Sequence, residues 1–328
     1  MRFNLLLVSS LFLALGLTSC TKPSTIADTS NRAPTQQSPT SQNQASDVDQ
    51  ELEQRLKAIC EKAGGTVGVS AVHIESGKSL SINGKSRLPL YSVFKLPLAI
   101  TVLKDVKENR LRLEQKIHVD PAETVVGTLG NSALWQKPVD FTIAELIDVS
   151  ISRSDNTSSE KLLQLVGGPA GVTERMRSLG LQNLDIHSTV TEFVKTRKNP
   201  NTGSAEDLAN LLAQLQQGKI LQPAQANLLI GFMQKAVTGL KRLRGDLPAG
   251  TLVADKTGSG ELDEITKVAK ATNDVGIITL PPGRGHLAIA VLVSESRLSD
   301  ADQEKLIAEI ARAVYDAYAT GPTKRAAL

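Results

Sequence analysis

The pattern of apolar and polar positions changes character several times along the chain, and each change marks an element or a boundary. Over residues 48–63, Leu52, Leu56, Ile59 and Cys60 recur at helical spacing, and Gly64-Gly65 ends the run. Residues 66–74 alternate as a strand, Ser76-Gly77-Lys78 makes a turn, and residues 79–83 form a second short strand of the same hairpin. Next comes a run from Phe94 to Leu103 that is apolar apart from Lys95, which predicts a buried helix. Helical patterns then dominate to about Leu243, at 143–152, 157–166, 170–179, 205–217 and 223–235. Strand character returns at 251–256, 275–280 and 286–294, with Pro281-Pro282-Gly283-Arg284-Gly285 as the loop between the last two. Ser299 caps a closing amphipathic helix that runs to about Tyr318. Two strands, a long helical insertion, three strands and a terminal helix predict an α/β domain at 48–320 built on an antiparallel sheet flanked by helices. The expected lobes are α/β at about 48–90 and 246–320, and all-α at about 91–245.

The N-terminal stretch has a different character. Residues 1–19 form an export signal, with Arg2 as its positive start and an apolar segment at 5–17 too short to span a bilayer. Its end, Leu17-Thr18-Ser19-Cys20, resembles the bacterial lipobox, which implies a lipid-carrying Cys20. Thr21 after the cysteine, by analogy with lipoprotein sorting, favours the outer membrane and a periplasmic location. An ordinary cleaved signal peptide would instead leave a soluble periplasmic protein. Residues 20–47 are rich in Ser, Thr, Gln and Pro and read as a disordered tether; residues 321–328 read as a tail.

Composition narrows the function. The 328 residues are 41% apolar, enough for one large domain or two intermeshed lobes, and the net charge is +3. No basic run is interleaved with aromatics, so nucleic acid is not an expected partner. His73, His118, His187 and His286 are scattered without zinc-ligand spacing, so neither metal nor cofactor is expected. Cys60 reads as a small core residue. Gly258-Ser259-Gly260 lacks the spacing of a Gly-x-Ser-x-Gly nucleophile elbow.

The candidate chemistry starts at Tyr91-Ser92-Val93-Phe94-Lys95. Residues three apart on a helix share a face, which sets the Lys95 amine beside the Ser92 hydroxyl. Burial lowers a lysine's pKa toward useful basicity, so such a serine carries its own base. Alone the pattern is weak: Ser19 with Lys22 and Ser158 with Lys161 also match it, and Ser92 could be a plain helix N-cap. Two further motifs change that balance. Ser154-Asp155-Asn156 lies between two helical runs, and Lys256-Thr257-Gly258 follows the strand Leu252-Val253-Ala254-Asp255. Each could be ordinary loop material. Together and in this order they are the signature of class A β-lactamases and penicillin-binding proteins.

From about Val48 to Tyr318 the chain resembles the class A serine β-lactamases. Ser-Val-Phe-Lys at 92–95 and Asn273-Asp274-Val275-Gly276-Ile277-Ile278 make it most similar to their extended-spectrum subgroup. The resemblance implies an active site between an α/β and an all-α lobe, in a monomer that hydrolyses β-lactams through an acyl-serine. It implies Ser92 as nucleophile, the amides of Ser92 and Ser259 as oxyanion donors, and Lys95 and Ser154 as proton relay. Lys256, Thr257 and Ser259 would hold the substrate carboxylate and Asn156 the side-chain amide. Many members use an arginine on the strand after Lys-Thr-Gly; Val275 stands there, and Arg242 is expected to supply the charge from the preceding segment. Class A enzymes carry the deacylating glutamate on a loop in an arginine-x-glutamate-proline context, and that context is absent here. Between Leu181 and Gly203 the carboxylates are Asp185 and Glu192, and Thr191-Glu192-Phe193 makes Glu192 the expected base. A D-alanyl-D-alanine peptidase shares all three motifs, and a non-hydrolytic β-lactam sensor is the alternative outside enzymes. Trp135 suits either the cleft mouth or the core.

Overall fold

The computed structural model describes residues 40–127, 131–263 and 265–320, with the backbone alone at 40–49, 131 and 132. The leader 1–19, Cys20, most of the expected tether and the tail 321–328 lie outside the described residues. The described residues from Gln42 onward belong to one compact unit.

In chain order the elements are α1 (Thr40–Glu61), β1 (Thr66–His73), β2 (Ser79–Ile82), β3 (Leu88–Pro89) and α2 (Lys95–Lys107). Then come β4 (Lys116–Val119), β5 (Val139–Thr142), α3 (Ile143–Ser152), α4 (Asn156–Leu165) and α5 (Gly168–Ser178). They are followed by β6 (Leu184–Asp185), α6 (Val190–Thr196), β7 (Thr202–Gly203), α7 (Ala205–Gln216) and α8 (Pro223–Gln234). The chain closes with β8 (Val253–Ser259), β9 (Leu262–Asp263), β10 (Val268–Thr279), β11 (His286–Ser296) and α9 (Asp300–Thr320). The main sheet is antiparallel in the order β2-β1-β11-β10-β8, with β9 paired to β10.

Alternation along β11 explains the layers. Leu287, Ile289, Val291 and Val293 share one core with Leu52, Leu56 and Ile59 of α1 and Leu306, Ile307 and Ile310 of α9. Ala288, Ala290 and Leu292, on the opposite face, join a second core with Leu96, Leu98 and Ile100 of α2 and Leu208, Leu211 and Leu212 of α7. A strand buried on both faces loses the polar half of its alternation, which is why β11 reads as an unbroken apolar run. Small residues on the second face let the helical layer approach: a Cβ added at Gly68 of β1 would stand 3.3 Å from Leu88 and 3.7 Å from Ala205.

Four expectations need correction. Helix α1 starts at Thr40, not Val48, so 40–47 is helical where a tether was expected. Strand β10 begins at Val268, because Lys270, Thr272, Asn273 and Asp274 broke the apolar pattern there; three of these four polar residues are buried and hydrogen-bonded. The span 91–245 is not purely helical: β4 pairs with β5, and β7 lies between β3 and β6. Glu192 lies on the short helix α6 rather than a loop. Cys60 is a buried free thiol whose pKa is pushed up to about 11 by desolvation, as suits a core residue.

Candidate active site

Ser92 sits in a 3-10 turn, Tyr91–Phe94, that runs directly into α2 with Lys95 as the helix's first residue. Side chains at i and i+3 eclipse in 3-10 geometry, which stacks the amine on the hydroxyl more closely than an α-helix would. Lys95 Nζ lies 3.3 Å from Ser92 Oγ. It also lies 2.7 Å from the Ser154 carbonyl oxygen, 3.3 Å from Ser154 Oγ and 2.8 Å from Asn156 Oδ1. Lys95 is fully buried, and its pKa falls well below the usual lysine value, first through desolvation and then through the charge of Lys256.

The loop between α3 and α4 brings the second serine. Ser154 holds a left-handed backbone, φ +57°, and this turns its hydroxyl between the two lysines. Asp155 anchors the turn: it caps α4 by accepting from the Ser158 amide, and the Trp135 indole N–H donates to it at 3.2 Å. Trp135 is therefore a buried support of this loop, packed against Phe141, and not part of the cleft mouth. That Trp135 is the chain's one tryptophan, a residue type whose N–H needs a partner when buried, was the signal for it in the sequence. Asn156 opens α4, with its Nδ2 donating to the Val126 carbonyl at 2.6 Å and its Oδ1 facing Lys95.

Strand β8 forms the opposite wall. Its Lys256 Nζ is 3.0 Å from Ser154 Oγ and 2.8 Å from the Thr257 carbonyl. Burial lowers the Lys256 pKa to about 7, against the upward pull of Asp255 and Asp274. Gly258 admits the nucleophile turn: a Cβ there would overlap the Leu90 carbonyl oxygen and stand 3.1–3.2 Å from the amides of Val93 and Ser92. Asn273 on β10 ties the same turn down, donating to the carbonyls of Pro89 (2.8 Å) and Leu90 (3.2 Å). Its place in the sequence suggested a subgroup feature and gave no sign of this structural duty.

The two candidate arginines separate cleanly. Arg242, 8% exposed, donates to Ser259 Oγ at 2.7 Å, to the carbonyls of Asn273 and Gly258, and to Glu304. Arg244 turns away and pairs with buried Asp255. Thr257 Oγ1 is 2.6 Å from Thr238 Oγ1, and Ser259 is exposed at the strand's end. Ser92, Lys95, Ser154, Asn156, Lys256, Thr257, Ser259 and Arg242 thus converge on one site.

Glu192 is the exception. It is exposed on the first turn of α6, where its amide donates to the N-cap Thr189, and among the described residues no hydrogen bond engages its carboxylate. Glu160 of α4 secures that turn by accepting from the amides of Val190 and Thr191. Asp185, the other carboxylate of the segment, is held by Arg87 and Arg177 and has a structural part. The set of neutral-tuned lysine, hydroxyl relay and cationic strand can activate a serine against an acyl group bearing a nearby carboxylate.

A family model described as the beta-lactamase enzyme family matches residues 51–318. Extended-spectrum beta-lactamase PER-1 of Pseudomonas aeruginosa is 34% identical over 80% of this chain and 86% of its own. A beta-lactamase of Bacteroides uniformis is 31% identical over 81% and 91%. Among solved structures, a beta-lactamase from Chitinophaga pinensis is 36% identical with a TM-score of 0.78, covering 81% of this chain and 99% of that one. The TLA-1 extended-spectrum beta-lactamase gives 33% and 0.79 over 83% and 99%.

Proposed function

The chain belongs to the class A β-lactamase family, and from that premise we infer how its residues open the ring. The protein hydrolyses β-lactams, the activity by which such enzymes confer antibiotic resistance. The observation that carries the mechanism is the set of oxygens around Lys95. The Ser154 carbonyl and Asn156 Oδ1 can only accept hydrogen bonds, and they are its shortest contacts. A neutral amine gives its two protons to them and has its one lone pair left to accept from the Ser92 hydroxyl, 3.3 Å away.

Lys95 then accepts the Ser92 proton as Ser92 Oγ bonds to the lactam carbonyl carbon. The negative oxygen that forms is met by the amides of Ser92 and Ser259. Ser154, between Lys95 and Lys256, passes the proton to the ring nitrogen as the C–N bond breaks. Lys256, Thr257, Ser259 and Arg242 receive the substrate carboxylate, and Asn156 Nδ2 is positioned for the side-chain amide. Glu192 takes a proton from the water that attacks the Ser92 ester, which frees the acid and restores the serine.

Intact-protein mass spectrometry with a slow β-lactam tests these assignments. The native chain gains and then loses one adduct, and Ser92→Ala gains none; an adduct on Ser92→Ala would remove it as nucleophile. Glu192→Gln acylates and then stalls, giving a stoichiometric burst; unchanged turnover would place the base elsewhere.

The extended-spectrum reading is supported by the names of PER-1 and TLA-1, and kinetics on a penicillin and a bulky cephalosporin test it. Export to the periplasm and lipid attachment at Cys20 are supported by the Leu17-Thr18-Ser19-Cys20 pattern. Detergent-phase partitioning that is lost in Cys20→Ser is the expected result; equal aqueous partitioning would indicate a soluble enzyme.

A further inference from the structure

The Glu192 carboxylate has no hydrogen-bond partner among the described residues, so its aim is set by the helix that carries it. Helix α6 has seven residues, too few to hold itself, and its position depends on what it docks against. Its N-terminus is fastened to α4 by Glu160, and Val190 and Val194 pack against the core, so what is left to settle is how the side facing the cleft, with Glu192 and Phe193, is turned. Successive side chains on a helix point about 100° apart, so a ring fixed at Phe193 fixes the direction of Glu192.

Phe193 meets the ring of Tyr91 edge to face, with centroids 5.6 Å apart. Tyr91 immediately precedes Ser92 and holds a left-handed backbone, φ +47°, a conformation that side chains other than glycine adopt at a cost. Its ring is half-buried and seated over Gly260: a Cβ there would come within 2.8 Å of Tyr91 Cζ. At the other end of α6, Arg197 pairs with Glu261, the next residue along, at 2.8 Å, but both side chains are exposed. Among the described residues the ring contact is the partly buried link between the Glu192 helix, the nucleophile turn and the end of β8.

We propose that Tyr91 is a positioning residue that sets the rotation of α6 through Phe193, and so governs release of the acyl group and not its formation. The inference rests on the reading of Glu192 as deacylating base. Acylation needs Ser92, Lys95 and Ser154, whose side chains among the described residues bond to one another, to Asn156 and to Lys256 and make no hydrogen bond to α6. Deacylation needs a carboxylate aligned on a water, where an ångström of misplacement costs about a hundredfold.

Burst kinetics and the time course of the adduct separate the two steps. Phe193→Ala and Tyr91→Ala are expected to slow deacylation on the order of 10- to 100-fold, with acylation close to native. Tyr91→Phe keeps the ring and should behave as native. The double alanine variant should be no worse than the poorer single one, because one contact is being removed twice. Glu261→Gln removes the exposed pair and should change either step less than about fivefold. Equal losses in both steps, or additive losses in the double variant, would make the contact merely structural and overturn the proposal. Glu192→Gln in the same assay keeps the two ideas apart. If it stalls while the ring variants deacylate normally, the base stands and the ring contact fails. If it turns over as native, the base assignment itself is wrong.

Discussion

Arg242 has five N–H protons, and four are already committed: one to Glu304, two to the carbonyls of Gly258 and Asn273, and one to Ser259 Oγ. The remaining one, on Nη2, is left for a substrate carboxylate, and Ser259 Oγ, accepting from Arg242, keeps its own proton available to donate. Losing a charge-assisted contact costs roughly 1.5–3 kcal/mol, so Arg242→Ala should lower kcat/KM by about ten- to a hundredfold. Val275, buried on the neighbouring strand, cannot compensate. Lys256 supplies a second charge whose presence depends on pH. With its pKa lowered to about 7 by burial, it loses its proton, and its hold on an anionic substrate, as pH rises through neutrality. The expected profile of kcat/KM falls on that side, and Lys256→Arg, which stays charged, should flatten the fall. A native profile level to pH 9 would show that Lys256 stays protonated in the site.

At the scale of elements, the site depends on how closely β8 can pass the nucleophile turn. Gly258 lies against the backbone of Leu90, Ser92 and Val93, so a side chain there can be admitted only by moving the strand or the turn. Gly258→Ala should therefore reduce acylation by tenfold or more while leaving helix content, read by far-ultraviolet circular dichroism, unchanged. An unaltered acylation rate would mean that the turn yields freely. This crowding also shows what the sequence could carry. The long helices and apolar strands were legible because each buries a regular face, and the catalytic motifs because their residue types have few other uses together. Helix α6 was not, since seven residues with Glu192, Lys195 and Thr196 exposed show little amphipathic period. The first half of β10 lacks an apolar pattern because Thr272, Asn273 and Asp274 are buried polar residues, held by Gln303, by Pro89 and Leu90, and, through one carboxylate oxygen only, by Leu243, all far away in sequence. The pairs β3 with β7 and β6 with β7 are two residues long, below any periodic signal.

Across the whole molecule, the sheet has a core on each face, and the helical insertion must be fastened to it by polar contacts as well as apolar ones. Arg244 is one such fastening. It donates to Asp255 on β8 at 2.8 Å and to the Met233 carbonyl of α8 at 3.3 Å. Asp255 is fully buried, one of its oxygens has no hydrogen-bond partner among the described residues, and burial raises its pKa to about 6 in spite of Arg244. A carboxyl whose folded pKa lies above its unfolded value gives stability that is present below about pH 4 and lost as pH rises through about 6. Neighbouring Asp274, also buried and raised well above the usual range, acts in the same direction. Taking away Arg244 removes the strongest influence that holds the Asp255 pKa down, so its proton-linked window moves upward. Arg244→Ala is therefore expected to lose a few kcal/mol of stability at pH 8, the range for a buried pair broken on one side, with Tm lower by several degrees. That deficit should shrink steadily toward pH 5, where the orphaned carboxyl is protonated and no longer needs a partner. Thermal melts of both proteins between pH 5 and 8 provide the measurement, and Tm curves that run parallel would show that Asp255 does not titrate in that range.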